Sequence, residues 1–89
     1  MNIEVTFFGK LRELAGVYKE TVSTVKGVNL SELVSRLEGT HGSAFAKELM
    51  ATKGLRILVN GHEYQLLAGM ETPLEDKDSV VLLPPVEGG

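Results

Sequence analysis

The stretch that decides the fold is VVLLPPVEGG, Val80 through Gly89. Its first four residues are all apolar, which predicts a strand covered on both faces, as is typical of the centre of a sheet. Pro84 and Pro85 have no backbone N–H, so we expect the strand to end before them. A valine, an acidic residue and two glycines then close the sequence. The stretch therefore predicts a central strand that leads directly into a tail.

The remaining strands are predicted by alternation and by one turn. The segment NIEVTFFGKL alternates, with Ile3, Val5 and Phe7 on one side and Glu4, Thr6 and Phe8 on the other, as in a half-buried strand. A short helical segment that ends at Gly16 separates this strand from a second one in YKETVSTV. The segment LRILVNGHEYQL predicts a hairpin, because Asn60 followed by Gly61 suits the positive φ angles of a type I′ turn.

The clearest helix follows the second strand. Asn29 and Glu32 have the spacing of a capping box, and Gly39 is expected to end the helix. One face of this helix is apolar: Leu30, Leu33, Val34 and Leu37. SAFAKELMATKG predicts a second, shorter helix, with Ser43 as its cap and Gly54 after its end.

The predicted order of elements is ββ-α-(α)-ββ-β, an α+β arrangement. The economical solution is a β-grasp roll, a mixed four- to five-stranded sheet with one long helix packed across one face. We expect the last strand to insert beside the first and parallel to it, with its exit near Lys10 and Arg12. The predicted organisation is one domain over residues 1–86 and a flexible tail over residues 87–89 that ends in Gly-Gly.

Composition excludes several classes of function. The chain has 89 residues and a net charge of −3, with no basic run, which argues against a nucleic-acid partner. No stretch is long and apolar enough for a membrane span, and no leader is recognisable, so a cytoplasmic protein without a membrane partner is expected. Because the chain has no cysteine, disulfides, thiolate zinc sites and cysteine nucleophiles are excluded.

The polar residues do not form a recognisable active site. His41 and His62 stand alone near predicted turns and are interpreted as solvated surface residues. Asp76 and Asp78 form a D-x-D pattern, which a turn before a strand explains better than a metal site does. We therefore expect no active site of the chain's own and no metal or cofactor bound by it.

The tail offers a different kind of chemistry. Gly88 and Gly89 carry no Cβ, so their backbone can enter a narrow channel, and the reactive group would be the α-carboxylate of Gly89. A partner that uses ATP and Mg²⁺ could adenylylate this carboxylate, after which a sulfur nucleophile or an amine takes the acyl group. Since the chain lacks cysteine, its sulfur would come from another protein. The alternative is a frayed end or a cloning scar.

The stretches FFGKLRELAG, VNG and TPLEDKDSVVLLPPVEGG resemble the small subunits of molybdopterin synthase, the MoaD-like sulfur carriers of the MoaD/ThiS family. The resemblance covers nearly the whole chain and implies a ubiquitin-like β-grasp. It implies that an E1-like enzyme adenylylates the terminal glycine, here Gly89 next to Gly88, and that a thiocarboxylate forms. The resemblance further implies that the tail enters the large synthase subunit, in a heterotetramer, and gives sulfur to cyclic pyranopterin monophosphate for the molybdenum or tungsten cofactor.

A partner-binding face is expected from the resemblance and from the residue pattern. Phe8, Arg12 and Leu83 match family positions that face the partner, although many members have an aromatic residue where this chain has Leu83. Independently, alternation places Phe8 and Leu58 on the sheet face away from the helix, with Val81 and Leu83 joining them. Such an apolar patch either binds a partner or is covered by a loop.

Three functions share the tail chemistry. The favoured one is a sulfur carrier in molybdenum or tungsten cofactor synthesis. The second is a ubiquitin-like protein modifier joined through Gly89 to lysines of target proteins. The third is a sulfur carrier for thiamin thiazole or for tRNA thiolation. The LPPVEGG ending favours the molybdopterin branch over the thiamin branch.

Overall fold

The computed structural model describes residues 1–85. In chain order the elements are β1 (Asn2–Phe7), α1 (Gly9–Ala15), β2 (Lys19–Ser23), α2 (Leu30–His41), α3 (Ser43–Ala51), β3 (Arg56–Val59), β4 (His62–Glu63) and β5 (Ser79–Leu83). Two short 3₁₀ turns, Tyr64–Leu66 and Gly69–Glu71, lie between β4 and β5. The predicted boundary at residue 86 and the predicted tail lie outside the described residues.

The five strands form one mixed sheet in the order β2-β1-β5-β3-β4. The last strand, β5, is central: it runs parallel to β1, with Val5 opposite Val80, and antiparallel to β3. This topology confirms the predicted α+β fold, a β-grasp with the last strand inserted beside the first. The described chain has three helices rather than one long helix, and α2 is the longest of them.

The prediction that β5 is covered on both faces is wrong. Val80 and Leu82 are fully buried, whereas Val81 and Leu83 on the opposite face are only half-buried. The reason is that the core forms on one face of the sheet. There, β1, β3 and β5 pack against the apolar stripe of α2, whose residues Leu30, Leu33, Val34 and Leu37 are all buried. An unbroken apolar run therefore leaves half of its side chains on an open face.

The start of α2 is as predicted. The Asn29 side chain accepts a hydrogen bond from the Glu32 N–H at 2.9 Å, and the Glu32 carboxylate accepts one from the Asn29 N–H at 3.1 Å. This reciprocal pair satisfies two backbone donors at the first turn. Each apolar side chain that α2 buries behind this cap contributes about 1.5–3 kcal/mol to folding.

The predicted end of α2 at Gly39 is wrong, because the helix continues to His41 and ends at Gly42. His41 is also not a solvated surface residue: its side chain is 10% exposed, and its Nε2 lies 2.5 Å from Glu20 Oε1 on β2. Its ring packs edge-on against Phe7, with the ring centroids 5.5 Å apart. These long-range contacts offset the cost of about 1 kcal/mol for a glycine inside a helix. His62 is exposed, as predicted.

Ser43 does not cap α3, contrary to the prediction. The residue before this helix is Gly42, with a φ of 91°, and no side chain caps the first turn. Because α2 ends and α3 begins at the same glycine, Ser43 is already inside the helix. α3 ends at Ala51, three residues before Gly54.

The predicted hairpin turn is confirmed. Asn60 and Gly61 have φ angles of 51° and 83°, and the strand that follows them, β4, has two residues. The Asn60 side chain also ties this turn to the start of β5: it donates to Asp78 Oδ1 and accepts from the Ser79 N–H, both at 2.9 Å.

The D-x-D pattern has the predicted structural role. Asp76 accepts a hydrogen bond from the Asn2 N–H at 2.6 Å, and Asp78 accepts one from the Glu75 N–H at 2.8 Å. The hydrogen bond from Asn2 holds the pKa of Asp76 below its ordinary value.

Within residues 1–85 no three potential ligands come together to hold a metal ion. None of the helices in the same part of the chain is long and apolar enough to cross a bilayer.

Candidate functional site

The face of the sheet opposite the helices carries the apolar residues predicted to bind a partner. Strand register places Thr6, Val81 and Leu58 in one row across β1, β5 and β3. Leu58 and Val81 are half-buried, so no described segment covers them fully. The alternation of buried and half-buried residues along β3 and β5 places these two side chains on the face away from the core.

Phe8 and Leu83 lie at the end of this face where β5 leaves the sheet. Phe8 directly follows β1 and keeps an extended backbone, and its N–H donates to the Leu82 carbonyl at 3.1 Å. Because Phe7 is buried opposite Leu82, the next residue on each strand points to the open face. Phe8 is 42% exposed there. We call the four residues Phe8, Leu58, Val81 and Leu83 the apolar patch.

Ion pairs border the apolar patch on both sides. Arg56 lies opposite Leu83, and its Nε donates to Glu63 Oε1 at 2.7 Å. On the other side, Lys19 Nζ lies 3.3 Å from Glu4 Oε1. An apolar centre with a charged rim is typical of protein–protein interfaces. The sequence analysis did not identify Arg56 or Glu63, although the alternation that places Leu58 on this face also places Arg56 there.

Arg12 lies on the exposed side of α1. Its guanidinium carbon is 5.4 Å from the centre of the Tyr18 ring, which is within the range of a cation–π interaction. Together with Val17, which is also exposed, these side chains line a shallow cleft beside the loop from α1 to β2. Arg12 is thus held by an aromatic ring and available to a partner.

The exit of β5 lies beside Lys10 of α1, as predicted, whereas Arg12, also predicted to be near it, lines a different cleft. Pro84 and Pro85 line a cleft of about 330 Å³ together with Lys10, Lys53 and Glu48. Both lysines are exposed. Gly88 and Gly89, the residues expected to carry the chemistry, lie outside the described residues. The described part of the site is therefore the apolar patch, Arg12 and the cleft beside Pro84 and Pro85.

Comparison with known proteins identifies the family. The ThiS family matches residues 5–89, which is almost the whole chain. The chain belongs to the ThiS family. This confirms its resemblance to the ubiquitin-like sulfur carriers, the group in which the sequence placed it.

Three similar proteins illustrate the range of relatives of this chain. Small archaeal modifier protein 3 from Haloferax volcanii is 31% identical over 93 residues, and the molybdopterin synthase sulfur carrier subunit from Chlamydomonas reinhardtii is 29% identical over 89 residues. Both matches cover the whole of both chains. A chain from a complex of subunits 1 and 2 of molybdopterin-converting factor from Helicobacter pylori has a TM-score of 0.68 and 31% identity, with full coverage of both chains.

Proposed function

We propose that this chain is the sulfur carrier of a molybdopterin synthase and that its reactive group is the α-carboxylate of Gly89. The observation that carries the proposal is the placement of β5. The central strand presents Val81 and Leu83 on an open apolar face and then runs through two prolines towards Gly88 and Gly89. One strand thus connects a docking surface to the residues that would react.

Activation requires a better leaving group on the carboxylate. In the proposed first step a carboxylate oxygen of Gly89 attacks the α-phosphorus of ATP, and pyrophosphate leaves. An E1-like partner holds the nucleotide and Mg²⁺, which stabilise the charge on the phosphates. In the second step sulfur at the oxidation level of hydrosulfide, delivered by a donor protein, displaces AMP and leaves a thiocarboxylate. No cysteine of this chain takes part, because it has none.

The thiocarboxylate then gives its sulfur to cyclic pyranopterin monophosphate in the large synthase subunit, which leads to the dithiolene that holds molybdenum or tungsten. Two comparisons support this acceptor. The relative from Chlamydomonas reinhardtii is a molybdopterin synthase sulfur carrier subunit, and the chain from Helicobacter pylori is in a complex of two subunits of molybdopterin-converting factor. We propose that the apolar patch and Arg12 contact the large subunit, within a heterotetramer.

The test is intact-mass analysis after incubation with the E1-like enzyme, ATP, Mg²⁺ and a sulfur donor. We expect the mass gain of one oxygen-for-sulfur exchange, and we expect it to disappear when ATP is omitted. A variant that lacks Gly89 is the matched control. An equal exchange in that variant would show that the reacting carboxylate is elsewhere.

A second candidate function is protein modification, which the similarity to small archaeal modifier protein 3 favours. Here an amine of a target lysine, rather than sulfur, displaces AMP from Gly89. Trypsin cleaves after Lys77, so a digested conjugate would carry the peptide Asp78–Gly89 on the target lysine instead of a bare diglycine. A search of cell digests for this branched peptide separates the modifier from the carrier. The third function is sulfur transfer to a thiazole or to tRNA. It is distinguished from molybdopterin synthesis by identifying the acceptor that consumes the thiocarboxylate.

A further inference from the structure

The two prolines after β5 lie between two glycines. One glycine is in the connection that follows β1, and the other is in the connection that precedes β3. Gly9 follows β1 and lies against Pro84, whereas Gly54 precedes β3 and lies against Pro85. Both glycines have a positive φ, 64° for Gly9 and 72° for Gly54. The exit of the central strand is therefore flanked on both sides by residues without a side chain.

The two glycines differ in how closely they approach the prolines. A Cβ on Gly54 would lie 3.2 Å from Cβ of Pro85, which is closer than ordinary van der Waals contact. A Cβ on Gly9 would lie 3.5 Å from Cγ of Pro84, which is an ordinary contact distance. At Gly27, which has a φ of 88°, a Cβ would meet no atom within 4 Å. Gly54 thus combines a positive φ with a close approach to the exit.

Packing has to fix the direction of the chain at this point. Proline has no N–H, so neither Pro84 nor Pro85 can donate a backbone hydrogen bond to a neighbouring strand. Their rings also restrict φ to about −65°. At this end of the sheet Phe8 donates a hydrogen bond to the Leu82 carbonyl, and the strand register ends at the pair of Leu83 with Arg56. Beyond it, the neighbours of Pro85 determine where the chain leaves the sheet.

We propose that Gly54 is a positioning residue for the tail, because its missing Cβ allows Pro85 to lie where it directs the chain into the partner. This inference rests on the proposed function of Gly89. A methyl group on Gly54 would displace Pro85 by a few tenths of an ångström at the root of the reacting segment. Since a misplacement of about 1 Å can lower a rate about a hundredfold, we expect a loss of about tenfold for the smaller shift.

The experiment compares Gly54→Ala with Gly27→Ala, because both place a side chain at a positive φ but only the first meets a proline. We expect both variants to lower the melting temperature by similar amounts. In single-turnover thiocarboxylate formation with saturating E1-like enzyme, Gly54→Ala should be about tenfold slower than wild type, and Gly27→Ala should stay within about twofold. Gly9→Ala, with its ordinary contact to Pro84, should resemble Gly27→Ala.

A measurement without the partner tests the placement of Pro85 directly. The ¹³C chemical shifts of Pro85 should change in Gly54→Ala and remain unchanged in Gly27→Ala. In addition, Pro85→Gly removes the Cβ that the new methyl group would meet. In that background Gly54→Ala should slow the reaction no further, as expected for two residues that act through one contact.

The outcomes distinguish this inference from the proposed function. If wild type forms no thiocarboxylate with any sulfur donor, the proposed function fails, and the Pro85 shifts alone decide whether Gly54 positions the exit. If wild type reacts and Gly54→Ala matches Gly27→Ala in rate, the positioning role is overturned while the proposed function stands. Unchanged Pro85 shifts in Gly54→Ala would also overturn it.

Discussion

Leu82 and Leu83 are adjacent in the sequence and lie on opposite faces of β5. Leu82 is fully buried in the core opposite Ile57, whereas Leu83 is half-buried on the open face opposite Arg56. The two positions carry the same side chain, on the same strand, one residue apart. They therefore offer a matched pair for separating the contribution of β5 to folding from its contribution to docking.

We expect Leu83→Ala to weaken binding to the large synthase subunit by about 1–3 kcal/mol, as is typical of an apolar interface residue. Leu82→Ala should instead lower the free energy of unfolding by about 2–5 kcal/mol, because it leaves a cavity in the core. A binding titration beside chemical denaturation of each variant measures both effects. Phe8→Ala should follow Leu83→Ala, and unchanged binding by both folded variants would exclude the apolar patch as the docking surface.

Gly88→Val tests whether the diglycine must pass through a narrow channel of a partner. We expect the free energy of unfolding to stay within about 0.5 kcal/mol of wild type, as for most surface substitutions. Sulfur transfer should become about a hundredfold slower, because a Cβ would collide with the channel walls and misplace the reacting atoms. The measurement is single-turnover transfer from chemically prepared thiocarboxylate at saturating partner. Equal rates for the variant and wild type would mean that the diglycine is only a frayed end.

The two histidines should differ strongly in their effect on stability. His41→Ala removes the contact with Glu20 and the packing against Phe7, so we expect a loss of about 1–3 kcal/mol in the free energy of unfolding. His62→Ala changes an exposed residue and should stay within about 0.5 kcal/mol of wild type. Urea denaturation at neutral pH measures both. A smaller loss for His41→Ala than for His62→Ala would contradict the packing described for α2.

Asp76 should make stability depend on pH in the acidic range. Its pKa is lower in the folded chain, chiefly because the Asn2 N–H donates to its carboxylate. The contribution of the ionised Asp76 carboxylate to the free energy of unfolding is therefore complete above the unfolded-state pKa of about 3.9. It is lost as the pH falls through the folded-state pKa. We expect Asp76→Asn to melt below wild type at neutral pH and the difference to vanish in acid. Glu75→Gln, on the same turn, is the control, and an equally pH-dependent difference for it would contradict this role.

Local signals in the sequence predicted most of the fold. Asn29 with Glu32, and Asn60 with Gly61, act through bonds and angles within a few residues, so spacing alone was sufficient. His41 could not be predicted in this way, because its partners Glu20 and Phe7 lie on strands that are distant in the sequence. The contacts of His41 with these two residues stabilise the last turn of α2, so the helix continues beyond Gly39, where the glycine alone predicted its end.

In the candidate site, too, local sequence patterns predicted some features, whereas others depend on contacts between segments that are distant in the sequence. The apolar patch followed from alternation once the inward face of β1 was known, because each strand shows a single face to the core. The approach of Gly54 to Pro85 depends on how the connection before β3 packs on the end of β5, and no spacing in the sequence encodes it. The ion pair of Arg56 and Glu63 likewise required the hairpin register.

The central position of β5 has a consequence for the order of events during synthesis. β1 is made first and β3 later, but each must pair with Ser79–Leu83 before the sheet is continuous. A pairing between segments as far apart in the chain as β1 and β5 forms late and slowly. On the ribosome the domain therefore cannot complete its core until the segment leading to the tail has emerged. A chain interrupted before Ser79 lacks its middle strand, so a folded molecule is also one whose synthesis has reached the exit of β5.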